Sequence, residues 1–121
     1  MPKRILIIDD DTDILKILDI IFKHEGYDVI LSETGDEADQ IQQISPDLVI
    51  LDIMITGSGK NGADICVKIK SRPETQNLPV ILLSSEDNIE EVSDLCGANG
   101  YISKPFEVSQ LIIKVKELLV A

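Results

Sequence analysis

Aspartates are the residues in this chain best placed to do chemistry. Asp9, Asp10 and Asp11 are consecutive and directly follow an apolar run at residues 5–8, with Asp13 close behind. A second apolar run, residues 48–51, delivers Asp52; a third, 80–83, delivers Ser84; and a short one around Tyr101 leads to Lys104. Carboxylates brought within about 4 Å repel by roughly 1 kcal/mol in water and about 4 at an intermediate effective dielectric, so a cluster of three strongly favours a bound cation. Oxygen donors without His or Cys select a hard ion. Mg2+ fits best, because it accepts one or two carboxylates, keeps several waters and leaves positions for phosphate oxygens. A lysine aimed at the same place balances phosphoryl oxygens, and a serine hydroxyl adds a donor. The combination reads as phosphoryl transfer. No G-x-x-x-x-G-K-[ST] loop is present and no G-x-G-x-x-G follows the first apolar run, so nothing cradles a nucleotide. The nucleophile is then a side chain, and an aspartate can serve by forming an acyl phosphate.

These residues need elements to bring them together, and the apolar pattern predicts them. Residues 5–8 are apolar without alternation, as in a strand covered on both faces of a parallel sheet. Ile14, Leu15, Ile17, Leu18, Ile21 and Phe22 recur at helical steps, with Asp11 or Thr12 as the cap and Gly26 as the stop. A second strand is expected over residues 27–31, a short polar helix over 36–44 closed by Ser45-Pro46, and a third strand over 48–51. The loop T-G-S-G-K-N-G leads to a helix with Ile65, Cys66 and Ile69 on one face. A fourth strand over 80–83, a helix over about 88–96 ending at Gly97, a brief strand at Tyr101-Ile102 and a last helix carrying Val108, Leu111, Ile112, Val115, Leu118 and Leu119 complete the chain. Five strands alternating with five helices imply right-handed crossovers and an α/β, doubly wound parallel sheet in three layers. Ligands in such sheets collect outside the carboxyl ends of the strands, where the order reverses. Asp9 and Asp10, Asp52, Ser84 and Lys104 all fall at those ends.

Composition bounds the rest. The 121 residues suffice for one domain with its own core, and 44% apolar against 27% charged is the balance of a globular protein. No apolar run approaches the length of a membrane span, and the first residues lack the apolar stretch of a secretory signal; a cytoplasmic location is expected. Twenty-two acidic against 11 basic residues give a net charge of −11, which disfavours nucleic acid and anionic lipid as partners and favours cations or basic protein surfaces. Cys66 and Cys96 have no metal-like spacing and read as buried small hydrophobes. His24 reads as a helix C-terminal residue rather than a catalytic one.

The acidic pair Asp9-Asp10 after the first strand, Asp52 within L-D-I-M after the third, Ser84 after the fourth and Y-I-S-K-P-F with Tyr101 and Lys104 at the fifth together resemble the receiver domain of two-component response regulators, the CheY-like superfamily. The likeness covers nearly the whole chain in the right order. It implies a flavodoxin-like five-stranded sheet of order 2-1-3-4-5 and a single receiver domain over residues 1–121, without an output domain in this chain. It also implies that Asp52 accepts a phosphoryl group from a sensor histidine kinase or a histidine phosphotransfer protein. Asp10 would bind Mg2+ directly and Asp9 largely through water; Asp52 and the main-chain carbonyl of Met54 would complete the protein's share of the metal shell. Lys104 would pair with the phosphoryl oxygens, and the Lys104-Pro105 peptide is expected to be cis, aiming the lysine into the site. On phosphorylation the Ser84 hydroxyl would move toward the phosphoryl group and Tyr101 would turn inward, changing the surface of helix four, strand five and helix five. That surface would be read by a downstream protein or a fused output domain.

The chain departs from the family pattern in places. Thr56 stands where proline is common, the loop to Gly62 is about two residues longer than usual, with Lys60 able to reach over the site, and Ser84 replaces the commoner threonine. The segment C-G-A-N-G-Y lacks the acidic residues that often precede the switch aromatic in regulators dimerising through that face. Two other classes fit these residues less well than the receiver does. An aspartate-nucleophile phosphohydrolase wants D-x-D-x-[TV], and here Asp13 occupies the last position; a flavin carrier wants a hydroxyl- and glycine-rich phosphate loop where this chain has acid. A receiver-like binding module that is never phosphorylated would not need the full set of chemical residues found here.

Overall fold

The computed structural model describes residues 2–34, 40–53 and 61–119. Along these the chain alternates: β1 (Arg4–Ile8), α1 (Thr12–His24), β2 (Asp28–Ser32), α2 (Ile41–Ile44), β3 (Leu48–Asp52), α3 (Gly62–Ser71), β4 (Val80–Ser84), α4 (Ile89–Cys96), β5 (Gly100–Ser103) and α5 (Val108–Leu119). All strand pairs are parallel and the order is β2-β1-β3-β4-β5, the expected doubly wound sheet. The reversal of order lies between β1 and β3, and Asp9 and Asp52 follow or end those two strands.

The central strands β1, β3 and β4 are apolar along nearly their whole length because both faces are covered. Ile5 and Ile7 of β1 point into one core with Leu15, Leu18 and Phe22 of α1 and Leu111 and Val115 of α5. Leu6 and Ile8 point into the other, with Ile41 of α2, Ile65, Cys66 and Ile69 of α3, and Ile89 and Cys96 of α4. Each side chain on a strand therefore has a fixed face, and a one-residue slip would exchange the two cores.

The helix ends follow local chemistry. Asp11 caps α1, its Oδ1 accepting from the N–H groups of Asp13 at 3.0 Å and Ile14 at 3.3 Å. After α1, Gly26 takes φ 94°, a backbone conformation that costs a side-chain-bearing residue more. Gly97 ends α4 in the same way at φ 79°. The predicted second strand is shifted by one: Tyr27 packs edge-on against Phe22 with ring centroids 5.9 Å apart, and Ser32 is a buried strand residue. Of the helix expected over residues 36–44, Ile41–Ile44 is helical and Gln40 precedes it, while 36–39 lie outside the described residues. Among the described residues no helix is long and apolar enough to cross a membrane. Cys66 and Cys96 are both buried free thiols, and His24 stands in the last turn of α1.

Candidate phosphoacceptor site

β1 carries Asp9 out of the core without exposing it. Its N–H donates to the Ser32 carbonyl at the end of β2 (3.1 Å), and its Oδ1 accepts from the Asp11 N–H (2.9 Å), so the turn between β1 and α1 is built around a fully buried carboxylate. Asp10 is half-buried and faces the same region. Asp52 is the last residue of β3 and 5% exposed. One ligand oxygen from each of Asp9, Asp10 and Asp52 lies within 4.8 Å of the other two. Asp11 and Asp13 belong to the start of α1 instead, as cap and first-turn residue.

The charge of this cluster is met by Lys104. Its Nζ donates to Asp9 Oδ2 at 2.9 Å and to Asp52 Oδ2 at 3.3 Å. Burial pulls the lysine pKa down, but the hydrogen bond and charge of Asp9, joined by those of Asp52, outweigh it and hold the ammonium above its ordinary value. The Lys104-Pro105 peptide is cis, and the Lys104 N–H donates to the Ser84 carbonyl at 2.8 Å, tying the lysine's backbone to the end of β4. Ser84 is buried, and its hydroxyl accepts from the Glu86 N–H at 3.0 Å. Tyr101, one strand out, is 38% exposed. Met54, Thr56 and Lys60 lie outside the described residues.

Gly62 is a positioning residue that the sequence reading passed over as the end of a loop. Its N–H donates to the Ile53 carbonyl at 2.8 Å, and a Cβ built on it would stand 2.0 Å from the Asp52 carbonyl oxygen. Only glycine lets the start of α3 close against the backbone of Asp52. The Glu86 N–H on the Ser84 hydroxyl was likewise not foreseen. A glycine after a loop is visible in sequence, but the approach that requires it is not.

Three carboxylates with no nitrogen or sulfur donor among them form a set suited to Mg2+, and their spacing lets oxygens from different residues share one ion. Lys104 and the buried Ser84 hydroxyl lie at the same carboxyl edge of the sheet. Together the site and the parallel sheet define a flavodoxin-like α/β protein with an acidic cluster at the carboxyl edge of its sheet. Residues 5–116 match the response regulator receiver domain family, and the chain belongs to it. It is similar over 100% of both chains to a putative response regulator from Chloroflexus aurantiacus J-10-fl, with 32% identity and a TM-score of 0.90. The receiver domain of NtrX from Brucella abortus shares 33% identity over 95% of this chain and 97% of that one, with a TM-score of 0.85. A CheY-like response regulator receiver domain protein from Methanospirillum hungatei JF-1 shares 31% over 98% and 94%, with a TM-score of 0.88. Receiver domains are regulatory domains switched by phosphorylation, and membership implies a kinase or phosphotransfer partner.

Proposed function

We propose that Asp52 is the phosphoacceptor of a cytoplasmic two-component phosphorelay, taking its phosphoryl group from a phosphohistidine of a sensor kinase or a phosphotransfer protein. The observation that carries this reading is the meeting of Asp52 with Asp9, Asp10 and Lys104 at the carboxyl ends of β3, β1 and β5. In the transfer an Asp52 oxygen forms a bond to phosphorus as the P–N bond of the donor breaks, and the electron pair leaves with the imidazole nitrogen. Bound Mg2+ would neutralise charge on the transferring phosphoryl oxygens. Asp10 and Asp52, with the Met54 carbonyl, would hold the ion directly and Asp9 through water. Lys104, already 3.3 Å from Asp52, pairs with the phosphoryl oxygens after a small movement. The domain transfers phosphoryl to and from itself and turns over no free metabolite.

The output is a change of surface. Ser84 gives up the Glu86 N–H to meet the phosphoryl group, and Tyr101, now partly exposed, turns into the space beside β4. The face of α4, β5 and α5 then differs between the two states, by as much as the phosphoryl group's contacts differ between them. A downstream protein or a fused output domain reads that face. The test is incubation with Mg2+ and acetyl phosphate followed by intact-mass measurement. One added phosphoryl mass is expected in the wild type and none in Asp52→Asn; an unmodified wild type with Mg2+ bound contradicts the reading.

A further inference from the structure

Two thiols away from the acidic cluster have chemistry that the site does not use. Cys66, within α3, and Cys96, the last residue of α4, are both free and both buried in the core beneath these helices. The Cys66 Sγ donates to the Cys96 carbonyl at 3.4 Å, and the two thiols also interact directly. Side chains in contact across two packed helices meet the proximity that a disulfide needs. What separates them from an oxidant is α4. This helix has eight residues, and among the described residues its cap Asn88 makes no side-chain hydrogen bond to the first turn, so packing supplies most of its stability. Such an element opens locally at lower cost than the core strands do. We propose that Cys66 and Cys96 form a reversible redox latch: hydrogen peroxide, small enough to enter when α4 loosens, converts the two thiols to a disulfide that ties α4 to α3. In the first step one sulfur attacks a peroxide oxygen, the O–O bond breaks, and a sulfenic acid forms with loss of one water. In the second the other sulfur attacks the sulfenic sulfur, the S–O bond breaks and a second water leaves. Two thiols thereby give two electrons and two protons to one peroxide. Burial, which disfavours the thiolate, makes the first step slow, and contact between the side chains makes the second fast. The consequence for signalling rests on the phosphoacceptor reading above: α4 belongs to the face that the phosphoryl group alters, so the latch restrains the output without touching Asp52.

The test treats native protein at pH 8 with hydrogen peroxide or with a bulky aromatic disulfide, followed by digestion without reduction and peptide mapping. A Cys66–Cys96 cross-linked peptide is expected with peroxide and not with the aromatic reagent, reversed by dithiothreitol, together with a Tm raised by about 10 °C. Cys66→Ala and Cys96→Ala should each fail to gain that thermal shift. In bridged protein the amide resonance changes of α4 on addition of Mg2+ and acetyl phosphate should be at least about twofold smaller than in reduced protein. Sulfinic or sulfonic acid without a cross-link, a cross-link only between two chains, or unmodified thiols overturns the latch, and none of these bears on Asp52. Cross-linking as fast with the aromatic reagent overturns the gating by α4, and an α4 response undiminished by the bridge overturns the restraint. A wild type that takes no phosphoryl group overturns the phosphoacceptor reading and the restraint that rests on it, and leaves the disulfide standing.

Discussion

Aspartates 9, 10 and 11 are adjacent in the chain and have three different surroundings. Asp9 is buried against Lys104, Asp10 is half-buried with its carboxylate among the possible metal ligands, and Asp11 caps α1. Substitution separates them. Asp10→Ala should abolish Mg2+-dependent phosphorylation while leaving the helical circular dichroism unchanged. Asp11→Ala should lower unfolding free energy in urea by about 0.5–2 kcal/mol, the usual worth of an N-cap, and still accept a phosphoryl group. Asp13→Ala removes a favourable charge near the helix N-terminus and should cost less, about 0.3–1 kcal/mol. Gly62→Ala is the fourth informative change: the added methyl meets the Asp52 carbonyl at 2.0 Å, so β3 or the start of α3 must shift. A loss of about 1–3 kcal/mol is expected together with slower phosphorylation, although the new methyl reaches backbone and no reacting atom.

At the scale of elements, two helix pairs hold titratable groups whose environments make pH predictions. Cys66 on α3 donates to the carbonyl of Cys96 at the end of α4, 3.4 Å away. Burial first, then the hydrogen bond and charge of Cys96, push the Cys66 thiol from 9.0 up to about 12, against a small opposing pull from Lys70. A raised pKa means that the folded protein keeps a proton the unfolded chain has lost, so this contribution is intact below pH 9.0 and is lost as pH rises toward about 12. At pH 8 a thiol reagent should label Cys66 far more slowly in the native protein than in denaturant; equal rates would contradict the buried setting. Glu25, just past α1, pairs with Lys116 of α5 at 2.8 Å, and the lysine's hydrogen bond and charge hold the carboxyl below its ordinary 4.5. The sign is the reverse: the contribution is present above 4.5 and fades as pH falls through the lowered value. Lys116 is exposed and Glu25 partly so, and the pair ties α1 to α5 only weakly. An NMR titration should find the Glu25 midpoint depressed in the wild type and restored in Lys116→Ala.

For the molecule as a whole, the sheet was legible because each strand is an apolar run that stops where a polar residue begins, and the polar residues that stop them make the site. In β1, β3 and β4 burial on both faces leaves no alternation to misread, and Asp52, Ser84 and Lys104 follow directly from where β3, β4 and β5 end. What the sequence hid depends on approach in space. The Lys104–Asp9 contact joins residues 95 positions apart through a long side chain, and the fit of Gly62 against Asp52 exists only once α3 has docked on β3. The one-residue shift of β2 has the same origin: Tyr27 finds its neighbour in Phe22 rather than in the sheet. All the elements converge on a single claim, that Asp52 is where the phosphoryl group goes. The most direct measurement is borohydride trapping after phosphorylation with Mg2+ and acetyl phosphate, which reduces an aspartyl phosphate to homoserine, followed by peptide sequencing by mass spectrometry. Homoserine at position 52 and at no other aspartate is the predicted result; a label at another residue, or none in protein that has bound Mg2+, would contradict the account.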